Sequence, residues 1–305
     1  VGSVIVYKNK IIGEGYHQQY GHPHAEVNAI ESVKDKSLLS KSTIFVSLEP
    51  CSHFGKTPPC SDLIIKNRLK KVVIGVQDPF HKVNGSGIDR LKSAGIQVEF
   101  SNLNILCKEL NKRFFTFHQQ NRPYIILKYA QSKDGFMDVE RNEEQNGVHW
   151  ITQKETKALT HLWRSQEQAI LIGAKTLIND APSLTVRHAT GDNPTRIILD
   201  SKGDISLPKN WDKRKDFVIC TKDKSIGDIL EELHKNEIQS VIIEGGKATL
   251  DLFISENIWD EARVLTGIKN IGKGILAPKI KGNVEKEYFY GQDLIKIIKN
   301  ANHHI

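Results

Sequence analysis

Four residues with metal and proton chemistry constrain this chain more than any other feature of its sequence. They are His24 and Glu26 in one short segment, and Cys51 and Cys60 in a second. A hydrolytic zinc site uses three protein ligands and leaves a fourth position open for water. Neutral imidazole and thiolate suit Zn²⁺, so the sequence predicts that His24, Cys51 and Cys60 bind zinc. Glu26 follows the histidine by two residues, where it can reach the water without ligating the metal. We expect it to carry a proton to a leaving amine.

The order of these residues matches the signature of zinc base deaminases, H-x-E followed by P-C-x-x-C, except that eight residues separate the two cysteines here. The string PCSHFGKTPPC, which follows PHAE, resembles the pyrimidine deaminase of riboflavin biosynthesis, in which the longer spacing is normal. Cytidine and tRNA deaminases have the short spacing. Two cysteines could instead be buried core thiols, but that interpretation does not explain the His-x-Glu and Pro-Cys pairs in this order.

The composition is that of an ordinary globular chain, with 305 residues, 39% hydrophobic and 26% charged. This length favours two domains. No run of about 18 apolar residues is present, so no membrane span is predicted. The four cysteines do not suggest a disulfide framework, and we expect a reducing, cytoplasmic location. A net charge of +7 favours anionic partners, either nucleic acid or phosphorylated small molecules. No Lys/Arg run with interleaved aromatic residues supports nucleic acid.

Alternating strand and helix patterns in the first 100 residues predict an α/β layer fold. A hairpin over residues 1–16 is followed by a helix from His24, with Val27, Ile30 and Val33 on its inner side. The strand over residues 43–48 leads directly to Cys51, and open α/β sheets place their sites at such carboxyl ends. The further predicted elements are a helix over 61–67, a strand over 71–76, a helix over 87–94 and a strand over 96–100.

Two loops near these strand ends are expected to contact the substrate. His53 and Lys56 lie inside the metal loop, and we assign both to substrate binding. The segment Gln77–Gly87 resembles the D-P-x-x-x-V-x-G-x-G loop of the same family, in which such residues contact the base and the ribose phosphate. Its polar members here include His81, Lys82 and Asn84. The resembled family also carries a helix and an Asn-Pro segment ahead of the first hairpin, so the first domain is interpreted as N-terminally truncated.

A change in pattern near residue 120 predicts the domain boundary. A single helix is expected over Leu103–Phe117, with Leu106, Leu110 and two phenylalanines on one face. The polar stretch that follows ends at Arg122-Pro123, and a residue before proline favours extended backbone. We therefore divide the chain into a deaminase domain over residues 1–120 and a second domain over residues 121–305.

Five strings in the second half occur in a recognisable order: KYAQSKDG, HWIT, AILIGAKTLINDAPSLTVR, RIILDS and IIEGGKATL. Together they resemble the reductase half of the bifunctional deaminase/reductase of riboflavin biosynthesis, which is similar in fold to dihydrofolate reductase. The resemblance implies an α/β protein in which an N-terminal cytidine-deaminase-like α/β/α zinc domain precedes a dihydrofolate-reductase-like α/β domain.

Local patterns predict the elements that carry these strings. Thr152–Glu155 is interpreted as a capping box that opens a helix ending near Arg164. Gly245 and Gly246 follow a strand and precede a helix, an arrangement that predicts bare backbone N–H groups and a helix dipole facing a phosphate. The pattern is not G-x-G-x-x-G, so a Rossmann fold is not predicted. The predicted strands cover residues 124–130, 169–173, 196–199, 217–220 and 240–244, and the last predicted helix covers 247–254.

The resemblance also assigns residues of the second domain to ligands. Contacts with a nicotinamide cofactor are expected from Ala130, Trp150, Thr176, Asp180, Ser201, Gly245 and Gly246. Contacts with the substrate are expected from Val148, Arg164, Leu184, Arg187 and Glu244. Arg187 is the expected partner of the ribose phosphate. Two positions depart from the family: Val148 stands where serine is common, and Ala181 replaces the second aspartate of D-D-P. Core packing is the alternative interpretation of Trp150 and Leu184.

The resemblance implies two consecutive reactions. The first domain would use zinc to hydrolyse the 2-amino group of 2,5-diamino-6-ribosylamino-4(3H)-pyrimidinone 5′-phosphate. The second would use NADPH to reduce the ribosyl chain of the product to ribityl. Lys128 and Asp134 are both candidates for an acid in the second site. The expected partners are the phosphorylated pyrimidine and NADPH, with no nucleic acid and no membrane, and a homo-oligomer is expected.

Two other classes of protein share part of this pattern. A nucleic-acid (tRNA) editing deaminase with an appended RNA-binding module would share the zinc ligands and the basic charge. It would also have the short Cys-x-x-Cys spacing and a basic or aromatic platform, neither of which is present in the sequence. A zinc-stabilised scaffold without catalysis would have no use for Glu26 beside an open metal position.

Overall fold

The computed structural model describes residues 1–19, 21–55, 57–80, 83–141 and 147–302. The chain forms two compact units, Val1–Gln120 and Asn121–His304. Among these residues, no helix has both the length and the apolar character needed to cross a membrane.

A mixed sheet forms the centre of the first unit. Its strands are β1 (Gly2–Tyr7), β2 (Lys10–Tyr16), β3 (Thr43–Val46), β4 (Lys71–Ile74) and β5 (Gln97–Phe100). Its helices are α1 (Ala25–Ser32), α2 (Cys60–Lys66), α3 (Ser86–Ser93), α4 (Asn104–Leu110) and α5 (Lys112–Gln120), with a 3₁₀ helix over Lys36–Lys41. The strand order is β2-β1-β3-β4-β5. Strand β1 is antiparallel to β2 and β3, whereas β3, β4 and β5 are mutually parallel.

The core of the first unit lies on one face of this sheet. Alternate strand residues point into it, and Ile5, Ile44 and Val72 are completely buried there. Helix α1 lies directly on β2, because a Cβ added at Gly15 would come within 2.3 Å of the Ala29 nitrogen. Glycine at this position lets the helix approach the strand closely, and the approach fixes where the N-terminus of α1 lies.

The opposite face of the same sheet is partly open. Val4, Phe45 and Val73 are cross-strand neighbours on this face, and Phe45 is 42% exposed. A cavity of about 670 Å³ lies here, lined by residues of β1 to β4 and by Leu103 and Cys107 near α4. None of the predicted zinc ligands lines this cavity, so the cavity is not the predicted zinc site.

The predicted single helix over Leu103–Phe117 is wrong, because the chain forms α4 and α5 with a break at Asn111. The side-chain amide of Asn111 donates to the Cys107 carbonyl at 2.8 Å, and its φ and ψ of −107° and 20° end the first helix. Leu106 and Leu110 are 65% and 61% exposed, so the expected apolar face is not buried in its first half.

A larger sheet forms the second unit. Its strands run in the order β10-β9-β8-β11-β6-β12-β15-β14, and a separate two-stranded sheet pairs β13 with β7. The strands are β6 (Tyr124–Gln131), β7 (Phe136–Val139), β8 (Ala169–Gly173), β9 (Thr195–Asp200), β10 (Phe217–Cys220), β11 (Ser240–Ile243), β12 (Glu261–Thr266), β13 (Gly274–Leu276), β14 (Asn283–Tyr290) and β15 (Asp293–Lys299). The helices are α6 (Thr156–Gln166), α7 (Ala174–Asp180), α8 (Ile226–Lys235) and α9 (Lys247–Ser255).

The strands from β10 to β12 in this order are parallel to one another, and β15 and β14 are antiparallel additions. Parallel strands covered on both faces are apolar along their whole length. Residues 125–127 of β6 are fully buried, and all four residues of β11 are buried.

A buried ion pair fixes the beginning of β6. The two terminal nitrogens of Arg122 donate to the two carboxylate oxygens of Asp260, each at 2.7 Å. Asp260 also accepts the Ile125 N–H at 2.7 Å. Because Asp260 immediately precedes β12, this bidentate pair holds the paired strands β6 and β12 in register.

The predicted capping box at Thr152–Glu155 is also wrong. Helix α6 begins at Thr156, and its N-cap residue Glu155 makes no side-chain cap hydrogen bond. The buried carboxylate of Asp293 in β15 instead accepts the Gln153 N–H and the Thr156 hydroxyl. The helix start is thus held by a strand about 140 residues away in sequence, and the sequence analysis assigned no element in that region.

Candidate active sites

His24, Cys51 and Cys60 converge at one end of the first sheet. His24 is the N-cap residue of α1, Cys51 follows β3, and Cys60 is the first residue of α2. His24 Nδ1 lies 3.6 Å from Cys51 Sγ and 3.3 Å from Cys60 Sγ. All three ligand atoms lie within 4.8 Å of one another.

These separations fit a tetrahedral zinc ion. With Zn–S near 2.3 Å and Zn–N near 2.0–2.1 Å, tetrahedral geometry separates nitrogen and sulfur by about 3.6 Å. One imidazole and two thiols form the donor set of a three-ligand site with one open position. The residues present therefore fit the metal that the sequence predicts.

The backbone around Cys51 also begins α2. The Cys60 N–H donates to Cys51 Sγ at 3.3 Å, and the Ser61 N–H donates to the Cys51 carbonyl at 3.1 Å. These two amides belong to the first turn of α2, where no earlier helical carbonyl is available. One ligand thus caps the helix that carries another, and the two cysteines are positioned together.

Thr57 orients the imidazole of His24, a role with no signal in the sequence. Its hydroxyl oxygen lies 3.3 Å from His24 Nε2, within hydrogen-bond reach. A neutral imidazole that ligates through Nδ1 carries its proton on Nε2, and that N–H then donates to Thr57. The His17 ring meets His24 edge to face at 5.3 Å and restricts it further.

Glu26 lies against the cluster in the first turn of α1. Its side chain is only 3% exposed, and burial raises the pKa of its carboxyl group. The thiols of Cys51 and Cys60 lie near this carboxyl group. The neighbouring Cys60 lowers the pKa of the Cys51 thiol to about 4, and the neighbouring Cys51 raises the pKa of Cys60. A buried carboxyl group next to the ligand set is placed to accept and release a proton.

Of the other residues expected to contact the deaminase substrate, His53 and Asn84 lie within the described residues. His53 is half-buried, its ring lies 6.0 Å from that of Phe80, and its Nδ1 has no hydrogen-bond partner in the described part of the chain. Asn84 accepts a hydrogen bond from the Gln77 amide at 3.0 Å. Lys56, His81 and Lys82 lie outside the described residues.

A charged cluster lies at the carboxyl end of the large sheet. The Glu244 carboxylate follows β11 and is 3.6 Å from Lys128 Nζ and 3.2 Å from a terminal nitrogen of Arg164. Burial opposes ionisation of Glu244, yet the charges of Lys128 and Arg164 hold its pKa below the usual value. Two of the predicted substrate residues, Arg164 and Glu244, are therefore in direct contact.

The segment that contains Leu184 and Arg187 is tied to this cluster. Arg164 donates to the Thr185 carbonyl at 2.8 Å, and the Arg187 N–H donates to His161 Nδ1 at 2.9 Å. Burial lowers the pKa of His161 to about 4, so its ring is neutral and can accept. Leu184 is 4% exposed and packs in the core, while the Arg187 side chain is exposed and bonds to the Ser183 hydroxyl.

The predicted cofactor cradle lies between two helix starts. The Gly246 N–H donates to the Thr176 hydroxyl at 2.9 Å, which joins α9 to α7. The Gly246 amide is therefore not bare, contrary to the expectation for this glycine. Helix α9 begins without a side-chain cap, so its first turn can still receive an anion. A Cβ added at Gly245 would come within 2.7 Å of the Thr249 side chain, so this position needs glycine.

Asp180 has a partner that the sequence did not reveal. Arg141 bridges Asp180 and Asp138, with each contact at 2.8 Å. This bridge joins α7 to β7 and holds the Asp180 carboxylate in place. Burial raises the pKa of Asp180 in spite of the arginine.

The remaining predicted contacts are more exposed. Val148 and Trp150 are 44% and 56% exposed, so core packing does not account for Trp150. The Lys157 ammonium lies 3.5 Å from the centre of the Trp150 ring. Ala130 is half-buried in β6, and Ser201 is exposed just after β9. Within the described ranges, no hydrogen bond or ion pair joins Val148, Trp150 or Ser201 to the Glu244 cluster.

The two candidate acids of the second unit have different surroundings. Asp134 accepts hydrogen bonds from the Ser132 hydroxyl and from the N–H groups of Ile271 and Gly272. These bonds, with that from Ser132 the strongest, lower the pKa of Asp134 to about 2. Asp134 is thus an ionised turn residue, and Lys128 is the better candidate because it lies beside Glu244.

Comparison with known proteins gives a match for each of the two units. The model of the cytidine and deoxycytidylate deaminase zinc-binding region matches residues 1–76, and that of the RibD C-terminal domain matches residues 123–292. The riboflavin biosynthesis protein RibD of Aquifex aeolicus is 35% identical over 98% of this chain and 91% of its own length. RibD of Bacillus amyloliquefaciens is 38% identical, with 92% of this chain and 81% of its own length covered.

A solved structure extends the match to the fold. The Thermotoga maritima protein described as a diaminohydroxyphosphoribosylaminopyrimidine deaminase/5-amino-6-(5-phosphoribosylamino)uracil reductase is 33% identical, with a TM-score of 0.84. The match covers 98% of this chain and 91% of that one. The expected order of a cytidine-deaminase-like unit before a dihydrofolate-reductase-like unit is confirmed. The chain therefore belongs to the RibD family of riboflavin biosynthesis proteins.

Proposed function

We propose that this chain catalyses two consecutive reactions of riboflavin biosynthesis, deamination in residues 1–120 and reduction in residues 121–305. The substrate of the first is 2,5-diamino-6-ribosylamino-4(3H)-pyrimidinone 5′-phosphate, and the second converts the ribosyl chain of its product to ribityl. The observation that carries this proposal is the convergence of His24, Cys51 and Cys60 beside the buried carboxyl group of Glu26.

In the deaminase, His24, Cys51 and Cys60 hold the metal. Zinc, when bound, lowers the pKa of a water ligand from 15.7 to about 7. Glu26 takes a proton from the attacking water and delivers it to the departing amine, a task that suits its raised pKa. His53 and Lys56, from the loop between the two cysteines, bind the substrate.

In the reductase, NADPH supplies the hydride, and the protein binds and orients both reactants. The cofactor is held by Ala130, Trp150, Thr176, Asp180, Ser201, Gly245 and Gly246. The substrate is held by Val148, Arg164, Leu184, Arg187 and Glu244. Arg187 extends into solvent from a segment anchored by His161 and Arg164, so it can bind the phosphate end of the sugar. Lys128, beside Glu244, donates the proton that accompanies the hydride.

The tRNA-editing alternative is not favoured. The relatives named above are riboflavin biosynthesis proteins, and the second unit matches the RibD C-terminal domain over residues 123–292. An appended RNA-binding module would require a different second unit. A zinc-stabilised scaffold without catalysis would not need the buried carboxyl group of Glu26 beside an open metal position.

We also propose that the chain assembles as a homo-oligomer in the cytoplasm. Strand β14 lies at the edge of its sheet, and seven of its eight residues are exposed, including Phe289 at 73%. Such an edge can pair with a second chain. No disulfide joins any of the four cysteines, in keeping with a reducing compartment. Light scattering should give at least twice the mass of one chain, and cell fractionation should recover the protein with cytoplasmic enzymes. A monomer at every concentration would contradict the first proposal.

The metal assignment predicts that Cys51→Ser loses zinc. Purified wild-type protein should contain about one zinc per chain, because the three ligands form one site for one ion. Replacing one thiolate by a hydroxyl removes a soft donor, so elemental analysis should show much less than one. Cys220→Ser is the matched control, since Cys220 lies in β10 of the other unit, and it should keep its zinc. Full zinc in Cys51→Ser would disprove the ligand assignment.

The proton-transfer assignment predicts that Glu26→Gln keeps zinc but loses deamination. The amide has nearly the same shape but cannot accept a proton, so kcat should fall by at least about 10²-fold, the lower range for general acid–base catalysis. Reduction measured on the same preparation is the internal control and should not change. If Glu26→Gln deaminates at the wild-type rate, another residue moves the proton.

The phosphate assignment predicts that Arg187→Lys raises the KM for the reductase substrate. Lysine keeps the charge but loses the planar fork that grips two phosphate oxygens. Losing one hydrogen bond to a charged group, about 1.5–3 kcal/mol, corresponds to a rise of about tenfold or more. Steady-state kinetics should show little change in the KM for NADPH. Arg214→Lys, at an exposed arginine paired only with its neighbour Asp212 in the described residues, should leave both constants unchanged. A higher KM for NADPH with an unchanged substrate KM would mean that the two sites are assigned the wrong way round.

A further inference from the structure

Glu49 carries a buried carboxylate that no step described so far uses. It lies between β3 and Cys51 and is 3% exposed. One oxygen accepts the N–H groups of Asp78 at 3.2 Å and Gly85 at 3.0 Å. The other accepts those of Gly87 at 3.0 Å and Ile88 at 3.2 Å. Among the described residues, its partners are backbone amides rather than an ion pair.

Three of these amides belong to the start of α3. Gly85 is the N-cap residue, with φ of +95°, and it offers no side chain to cap the helix. The first amides of a helix lack intrahelical acceptors, and the positive end of the helix dipole favours an anion. Glu49 supplies that anion from another part of the chain. The fourth amide, that of Asp78, lies at the other end of the loop, so one carboxylate closes the loop at both ends.

Further contacts bind the same two segments. A Cβ added at Gly87 would come within 2.0 Å of the Pro50 carbonyl oxygen, so the two backbones lie in direct contact. The hydroxyl groups of Ser52 and Ser86 are 2.5 Å apart, and Arg90 donates to the Ser52 carbonyl at 3.4 Å. Cys51 lies in the middle of the segment that makes these contacts.

We propose that Glu49 is a positioning residue for the deaminase, which sets the loop between Asp78 and Ser86 relative to the Cys51 thiol. The inference rests on the proposed role of Cys51 as a zinc ligand and on the expected role of this loop in holding the base and ribose phosphate. Glu49 contacts neither the metal nor the substrate. It ties the two ends of this loop, at Asp78 and Gly85, to the segment that carries the ligand Cys51, so that a bound pyrimidine lies at a fixed distance from the reacting water.

The test is Glu49→Gln in the full-length chain. Glutamine offers one oxygen and one NH₂ group, so two of the four amides would face a donor instead of an acceptor. The loop would then occupy its competent arrangement only part of the time, and apparent affinity falls in proportion to that fraction. The KM for the pyrimidine should rise at least about tenfold, as for loss of a hydrogen bond to a charged acceptor, while kcat at saturation falls less.

Two further readouts separate positioning from general damage. Zinc content should stay at about one per chain, and the visible spectrum of the cobalt-substituted protein should match that of the wild type, because the three ligands are unchanged. Reduction by the second unit should also be unchanged. Glu99→Gln is the matched control, since Glu99 in β5 is half-exposed and pairs with Lys71 rather than with the amides of this loop. A wild-type KM in Glu49→Gln, or loss of zinc with an unchanged KM, would overturn the inference.

A second variant decides the matter if Glu49→Gln does not fold. Ser52→Ala removes the Ser52–Ser86 contact between the same two segments without burying an unpaired charge. It should raise the KM about two- to tenfold with zinc retained, and an unchanged KM would overturn the inference. Failure of the proposed function is a distinct result, because in that case the wild-type protein itself would not deaminate the pyrimidine.

Discussion

Parallel strands deliver all their carboxyl ends to one edge of a sheet, and both sites in this chain depend on that constraint. The parallel strands of the second unit are largely buried and mostly apolar. Several of the residues assigned to the two reactions therefore lie where strands end. Cys51 follows β3 in the first unit, and Glu244 and Ser201 follow β11 and β9 in the second. Lys128, near the end of β6, reaches Glu244 because β6 and β11 are neighbouring parallel strands.

Helix starts supply the second common feature. Each leaves amide groups without acceptors, and this chain satisfies several of them from distant segments instead of from the preceding residue. Glu49 does so for α3 and the Cys51 segment for α2, while Asp293 accepts the Gln153 N–H just before α6. Each such bond joins two parts of the chain that the sequence separates. The same bonds that complete the backbone therefore also locate the functional side chains.

Site residues could be predicted from the sequence where the chemistry allows few residue types. Contacts between residues far apart in the sequence could not. His24, Glu26, Cys51 and Cys60 were identifiable because few residue types can bind zinc or shuttle a proton at this spacing. Most strands of both sheets up to residue 243 were also predictable from apolar runs. The Arg141–Asp180 bridge, the Asp293 cap and the four amides on Glu49 were not, since their partners lie 29 to 140 residues away. The break at Asn111 was missed because a local side-chain bond overrode an unbroken helical pattern.

The conformation of the turn after α7 depends on neighbouring strands of the second unit. Ala181 and Leu184 have φ angles of +40° and +54°, a region that costs residues other than glycine about 1–3 kcal/mol each. An isolated segment would rarely adopt it. Leu184 is held there by packing against Ile170, Ile198 and Trp211, which meet only after β8 and β9 have paired. The conformation of the segment that leads to Arg187 therefore depends on the packing of the paired strands β8 and β9.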